Sequence, residues 1–212
     1  PAVVNDGQIQ IYRESEDCIE FRHVSFAYEQ KNVLNDRRYR IISYDIRGLG
    51  KSQVTGSGYD YDQLATDLHC ILNILNVYNV TLVGFSMGGA ICVRYMSKYN
   101  NERVNKLVLI GAAAPSFTRT VHNPDGKTID EVNHLIEQCY INRPKLVYDF
   151  GQDVFALNHG NEFMNWFSSI CLTGSGIGTI RTAVSLRDED VYQDLFNIKV
   201  RTLIMHGVLD KI

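Results

Sequence analysis

Apolar and polar positions divide the chain into a series of short strands and helices. Residues 8–12 and 19–21 alternate polar and apolar side chains, which predicts two short strands. Residues 39–44 carry a compact apolar run and predict a buried strand. Over residues 60–77, Leu64, Leu68, Ile71, Leu72 and Leu75 recur on one face of a helix, and Asp60 and Gln63 stand three apart at its start, as in a capping box. Val80, Leu82 and Val83 form a β-branched apolar run, and residues 90–98 return to helical spacing with Ile91, Val93 and Met96. Residues 104–110 predict another buried strand, closed by Gly111. Helical patterns then dominate at 129–139, 163–171 and 177–186, with Gly174–Gly178 as a linker, before a last strand at 200–205.

Strands alternating with helices predict an α/β fold, a mostly parallel doubly wound sheet with helices on both faces. The helical stretch interrupts that alternation and predicts an inserted cap. The expected organisation is a first core part over 1–111, the cap over 112–196, and a core strand over 197–212. With 212 residues, 45% of them hydrophobic and 21% charged, the chain has the means to build one sizeable core.

Charge and cysteine usage narrow the partners. A formal net charge of −3 without any basic run argues against a nucleic-acid grip. Cys18, Cys70, Cys92, Cys139 and Cys171 are scattered and odd in number, with no C-x-x-C spacing, which fits reduced thiols better than disulfides or a zinc site. No basic segment leads into an apolar one and no apolar run reaches membrane-spanning length, so the expected location is the cytoplasm.

The candidate chemistry lies between the 80–83 strand and the 90–98 helix. Gly84-Phe85-Ser86-Met87-Gly88 fits G-x-S-x-G, and Gly89 follows. In a strand–turn–helix context this motif is a nucleophile elbow, in which a strained serine projects from the sheet. Side chains at 84 and 88 are expected to collide with the neighbouring strand and helix. Spare amides at the helix start face the same point, so the N–H of Met87 is placed to receive a developing oxyanion. The bland alternative is a glycine-rich turn whose serine caps the helix.

GFSMGG resembles the α/β-hydrolase family, and Asp45-Ile46-Arg47-Gly48-Leu49-Gly50-Lys51-Ser52 is similar to that family's D-x-R-G-x-G-x-S loop. There Arg47 is expected to pair with Asp45 and brace the loop. The run His122-Asn123-Pro124-Asp125-Gly126 resembles the cofactor-free bromoperoxidase and chloroperoxidase branch, serine esterase-like enzymes that also make peracids. The resemblance implies no cofactor or metal, a small-molecule ester as substrate, and a possible homo-oligomer. It implies that Asp210 of His206-Gly207-Val208-Leu209-Asp210 is the triad acid, in the chain order nucleophile then acid. It also implies that the amide of Ser25, after His23-Val24, is the second oxyanion donor, with Val24 where the family has glycine. Phe85, Phe26 and Trp166 are the expected pocket residues; Phe163, Met164 and Phe167 accompany Trp166 in the cap, where packing alone also explains them.

Residues 17–36 fit the hydrolase pattern poorly and look like the start of an ABC-transporter ATPase domain, with Tyr28 as the adenine-stacking aromatic. That alternative needs a P-loop. Residues 45–52 come within one residue of G-x-x-x-x-G-K-[ST], but Asp45 replaces the first glycine and would face phosphate.

The family's triad ends in a histidine C-terminal to the acid, and this sequence ends at Ile212. A serine hydroxyl without a base is a poor nucleophile. His206 is expected to be structural, His69 to lie on a helix surface, His23 to orient substrate at most, and His122, His134 and His159 to lie in the cap. The expectation is therefore a hydrolase truncated before its last strand, helix and base, with an unprotected edge at 200–206 and a tendency to aggregate. A non-catalytic hydrolase-fold relic is the alternative from a different class.

Overall fold

A computed structural model of the chain describes residues 40–157 and 159–210. The expected strands at 8–12 and 19–21, and Ser25, Phe26 and the ATPase-like stretch, lie outside the described residues. Three parallel strands, β1 (Val80–Phe85), β2 (Val104–Ile110) and β3 (Arg201–Met205), form a sheet in the order β1-β2-β3. Helix α1 (Tyr61–Ile74) precedes β1, and α2 (Met87–Lys98) links β1 to β2. Between β2 and β3 comes a helical insertion of α3 (Ile129–Val154), α4 (Asn161–Cys171), α5 (Gly176–Asp188) and the short α6 (Tyr192–Leu195).

The helix starts follow from their caps. The Asp60 carboxylate accepts from the Gln63 amide at 2.8 Å and opens α1. Thr128 and Glu131 form a reciprocal capping box at the start of α3. Ser175 accepts from the amide of Gly178 and opens α5, so the glycine-rich linker is already helical from Gly176. Helix α3 runs well beyond the expected end at residue 139. It is kinked at Asn142 (φ −156°, ψ 72°), whose side chain accepts from the amide of Lys145 and restarts the helix with Pro144 in its new first turn. The apolar period breaks at this kink, and the second segment was invisible to a continuous helical pattern.

Strand β1 alternates. Leu82 and Gly84 are buried, whereas Thr81, Val83 and Phe85 are exposed. The buried face joins Leu64, Leu68 and Leu72 of α1, Ile91 and Met96 of α2, and Leu107 and Leu109 of β2 in one core. Each fully buried side chain of this kind contributes about 1.5–3 kcal/mol. Helix α2 packs on that face, and α1 packs against α2. Helices were expected on both faces; among the described residues the opposite face of β1 has none.

The expected strand at 39–44 does not form over residues 40–44, where Ile41 and Ile42 are exposed. An apolar run becomes a strand only when a ladder satisfies its backbone groups, and the described ladders join only β1 to β2 and β2 to β3. Tyr44 still packs against the core.

Candidate active site

The site is built where the strands end. Ser86 lies between the last residue of β1 and the first of α2 at φ 50°, ψ −125°, a left-handed φ that costs a non-glycine residue of order 1–3 kcal/mol. Its backbone is held on both sides of the bend. The Ser86 amide donates to Ile110 O at 3.0 Å and its carbonyl accepts from Gly89 (2.9 Å) and Ala113 (3.0 Å). The Ser86 hydroxyl makes no capping bond to the helix, which removes the bland explanation for a serine at this position. Met87 opens the 12-residue helix α2, within the first turn whose amides lack intrahelical acceptors.

Close approach is what the glycines provide, at Gly84 as the motif suggests but not at Gly88. A Cβ on Gly84 would stand 2.6 Å from both Gly88 O and Gly89 Cα, and one on Gly89 would collide with the Ala112 side chain. A Cβ on Gly88 would meet no described atom within 4 Å. The expected crowding at 88 belongs to 89, because the first turn of α2 presents residue 89, not 88, to the chain leaving β2.

The parallel register aligns Phe85 with Ile110 and Ile110 with Met205. The next residue on each strand is Ser86, Gly111 and His206, and the bonds Ser86 N to Ile110 O and Gly111 N to Met205 O (2.9 Å) carry the ladder to this row. Two strand spacings, roughly 10 Å, separate the chain at Ser86 from the chain at His206. The turn after β3 folds back with Asp210 N donating to Gly207 O at 3.1 Å. This brings the Asp210 carboxylate over Gly111, with Oδ2 3.3 Å from where a Cβ on that glycine would be. The same oxygen lies 3.6 Å from His206 Nε2. The strand tips thus gather Ser86, Asp210 and His206 at one end of the sheet, the end where open α/β sheets bind their ligands.

The other described histidines are engaged elsewhere. His69 stacks on Tyr99 at 3.9 Å, His122 on Tyr192 at 3.5 Å, and His159 lies edge-on to Phe155 at 5.4 Å. His134 sits beside Glu137 at 3.6 Å. A thiol does not compete with Ser86 from beneath, since burial pushes Cys92 up to about 12 and keeps it protonated.

The two described residues expected at a pocket lie on different elements. Phe85 is 61% exposed at the tip of β1 and faces Gly111. Trp166 is 57% exposed on α4 and packs on Phe163 at 5.4 Å, part of a ring cluster with Phe155 and Phe167.

The bracing loop differs from expectation. Arg47 is buried and pairs with Asp67 of α1, Nε to Oδ2 at 2.7 Å and Nη2 to Oδ1 at 2.5 Å. Asp45 instead accepts from the Lys51 amide at 2.9 Å, and its carbonyl accepts from the Ser52 hydroxyl at 2.5 Å. Burial pushes the Asp67 carboxyl up, against the pull of Arg47. Asp45 is exposed and caps its own loop, so the desolvated guanidinium takes the only carboxylate on the α1 face turned toward it. Asp67 was legible as a polar residue on the apolar side of α1, beside Leu64 and Leu68, but nothing in the sequence names its partner. The Asp45 carboxylate also packs on Gly50 (φ 53°), filling the concavity that a phosphate loop would keep open.

The alpha/beta hydrolase fold family matches residues 22–195. An AB hydrolase superfamily protein, YisY, of Bacillus subtilis is 42% identical over 90% of this chain and 70% of its own length. Among solved structures, an esterase from Exiguobacterium antarcticum is 44% identical with a TM-score of 0.77, over 79% of this chain and 63% of that one. A bromoperoxidase from Bacillus anthracis is 33% identical with a TM-score of 0.73, over 77% of this chain and 62% of that one. The chain thus spans less than two thirds of the length of these two solved chains. Sequence, register and strained serine agree: this chain belongs to the alpha/beta hydrolase fold family.

Proposed function

We propose that this chain carries the nucleophile and the acid of a serine hydrolase acting on small carboxylic esters through an acyl-enzyme. The observation that carries the reading is the strained Ser86, turned out of the sheet at φ 50° with its hydroxyl unused in capping and an amide-rich helix start behind it. Ser86 Oγ attacks the ester carbonyl and gives its proton to a histidine oriented by Asp210. The oxyanion is held by the amide of Met87, with that of Ser25 as second donor. Collapse expels the alcohol, which takes its proton from that histidine; water, losing a proton to the same histidine, then attacks the acyl-enzyme, releasing the carboxylic acid as the proton returns to Ser86 Oγ. The insertion over 112–196 acts as a cap, and Phe85, Phe26 and Trp166 line the acyl pocket.

The esterase among the solved relatives supports this reading, and the bromoperoxidase supports a second, in which peroxide replaces water as acyl acceptor. Among the described residues no helix is long and apolar enough to cross a membrane. Unbridged Cys92, Cys139 and Cys171 support the cytoplasm as location.

A fluorophosphonate probe read by intact mass, with p-nitrophenyl acetate turnover, tests the proposal. With a histidine completing the triad, the expected result is one adduct on Ser86 and turnover, both lost in Ser86→Ala. A folded protein that has this histidine and neither labels nor turns over refutes the proposal. Peracid formation from acetate and hydrogen peroxide distinguishes the second reading.

A further inference from the structure

We infer that His206 is a positioning residue for Asp210, which it holds in the rotation that a catalytic imidazole requires. The inference rests on the reading of Asp210 as the triad acid. His206 follows directly on Met205, whose carbonyl accepts from the amide of Gly111, so the base of the His206 side chain is pinned to the sheet. The bond from Asp210 N to Gly207 O closes the turn and folds the carboxylate back onto the ring, four residues earlier. His206 Nε2 then stands 3.6 Å from Asp210 Oδ2, within ion-pair reach and longer than a hydrogen bond.

The open space over Gly111, where a Cβ would stand 3.3 Å from Oδ2, leaves the carboxylate room, and the His206 ring nitrogen lies beside the same oxygen. A carboxylate rotates about a soft torsion, so a partner at one oxygen also biases where the other points. His206 is not there to fill a core, because its side chain is 59% exposed while that of Asp210 is 29% exposed. A ring nitrogen presented at this distance contributes direction rather than burial. Apo separations of this size commonly shorten when substrate completes the site.

The test compares His206→Phe, His206→Ala and His206→Gln with Asp210→Asn, in the chain whose Ser86 labelling has been established. Phenylalanine keeps the ring and loses the nitrogen, whereas glutamine keeps an N–H of similar reach. The expected result is a kcat about 10-fold lower for His206→Phe and His206→Ala with KM unchanged, and a kcat within about 3-fold of the parent for His206→Gln. Phosphonate labelling of Ser86 slows in the same order. Full kcat in His206→Phe beside an inactive Asp210→Asn overturns the inference and leaves the hydrolase reading standing. An equal loss in all three His206 variants also overturns it, since the histidine then only shapes the turn. Full activity in Asp210→Asn refutes the acid assignment itself, and the inference falls with it.

Discussion

Adding one methyl group at each of the three glycines around Ser86 separates the crowded positions from the open one. In Gly84→Ala the new carbon lies 2.6 Å from Gly88 O and Gly89 Cα. Carbon atoms in contact prefer about 3.5–4.0 Å, so β1 and the first turn of α2 must part by roughly 1 Å. Both obstacles are backbone atoms, and they cannot rotate away. The bonds from Gly89 and Ala113 to Ser86 O, at 2.9 and 3.0 Å, tie the obstacle to the bend itself. Overpacking costs about 1–3 kcal/mol where side chains can yield. Here the backbone must move, so Gly84→Ala is expected at or above the top of that range. Gly88→Ala meets no described atom within 4 Å and lies inside α2, where alanine is favoured over glycine by up to about 1 kcal/mol.

Urea unfolding followed by circular dichroism measures both. With a slope of about 2 kcal/mol/M, Gly84→Ala lowers the midpoint by about 1.5 M, whereas Gly88→Ala leaves it unchanged or raises it by up to about 0.5 M. Gly89→Ala, directed at Ala112, behaves like Gly84→Ala. A Gly84→Ala midpoint equal to the parent's, or a Gly88→Ala chain as weakened as Gly84→Ala, refutes the account of the elbow as a packing constraint.

Removing one side of the buried ion pair, as in Arg47→Met, leaves Asp67 without its guanidinium and is expected to cost about 3–5 kcal/mol, read as a lower urea midpoint. Gly178→Ala adds helix propensity to α5 but drives a carbon into the Gly48 carbonyl, so a net loss of about 1–3 kcal/mol is expected in the same assay. Burial holds the His69 imidazole below its ordinary value, with Glu102 pulling it up and Arg103 pushing it down. A depressed histidine favours the neutral folded form, so its contribution is fully present above the unfolded value of about 6.5 and is lost as pH falls below it through the folded value. His69→Phe should flatten that part of a melting temperature–pH curve; an unchanged slope between pH 7 and 5 counts against the assignment.

The parts legible in the sequence were those governed by local periodicity. Strand β2 matches its apolar run, and α1 starts at the cap that Asp60 announced. The elbow was legible because its glycines, serine and flanking periods are contiguous. Illegible were the pairings that depend on which elements meet. Arg47 reaches Asp67, 20 residues away, rather than Asp45 two residues away, because α1 turns the Asp67 carboxylate into the core while Asp45 is taken up by its own loop. Gly89 rather than Gly88 bears the crowding, since the distinction depends on which side of α2 faces the chain after β2. The strand at 39–44 was over-read because its apolar character says nothing about a ladder partner.

The same reasoning explains why the candidate site lies along one row of strand ends. Parallel strands in register end at the same height, so residues 86, 111 and 206, far apart in sequence, become neighbours without any side-chain contact to bring them there. The middle strand then has a special duty. Gly111, at φ 45°, lies between Ser86 and Asp210, and a Cβ there would stand 3.3 Å from the Asp210 carboxylate. Gly111→Ala strains a left-handed φ and puts a carbon against that carboxylate. A loss of about 1–2 kcal/mol in stability is expected from the backbone alone. If Asp210 serves Ser86 through an imidazole, the kcat on p-nitrophenyl acetate should fall by about 100-fold with KM nearly constant, because the displaced group orients rather than binds. A Gly111→Ala chain that keeps the parent's kcat places the acid somewhere other than above Gly111.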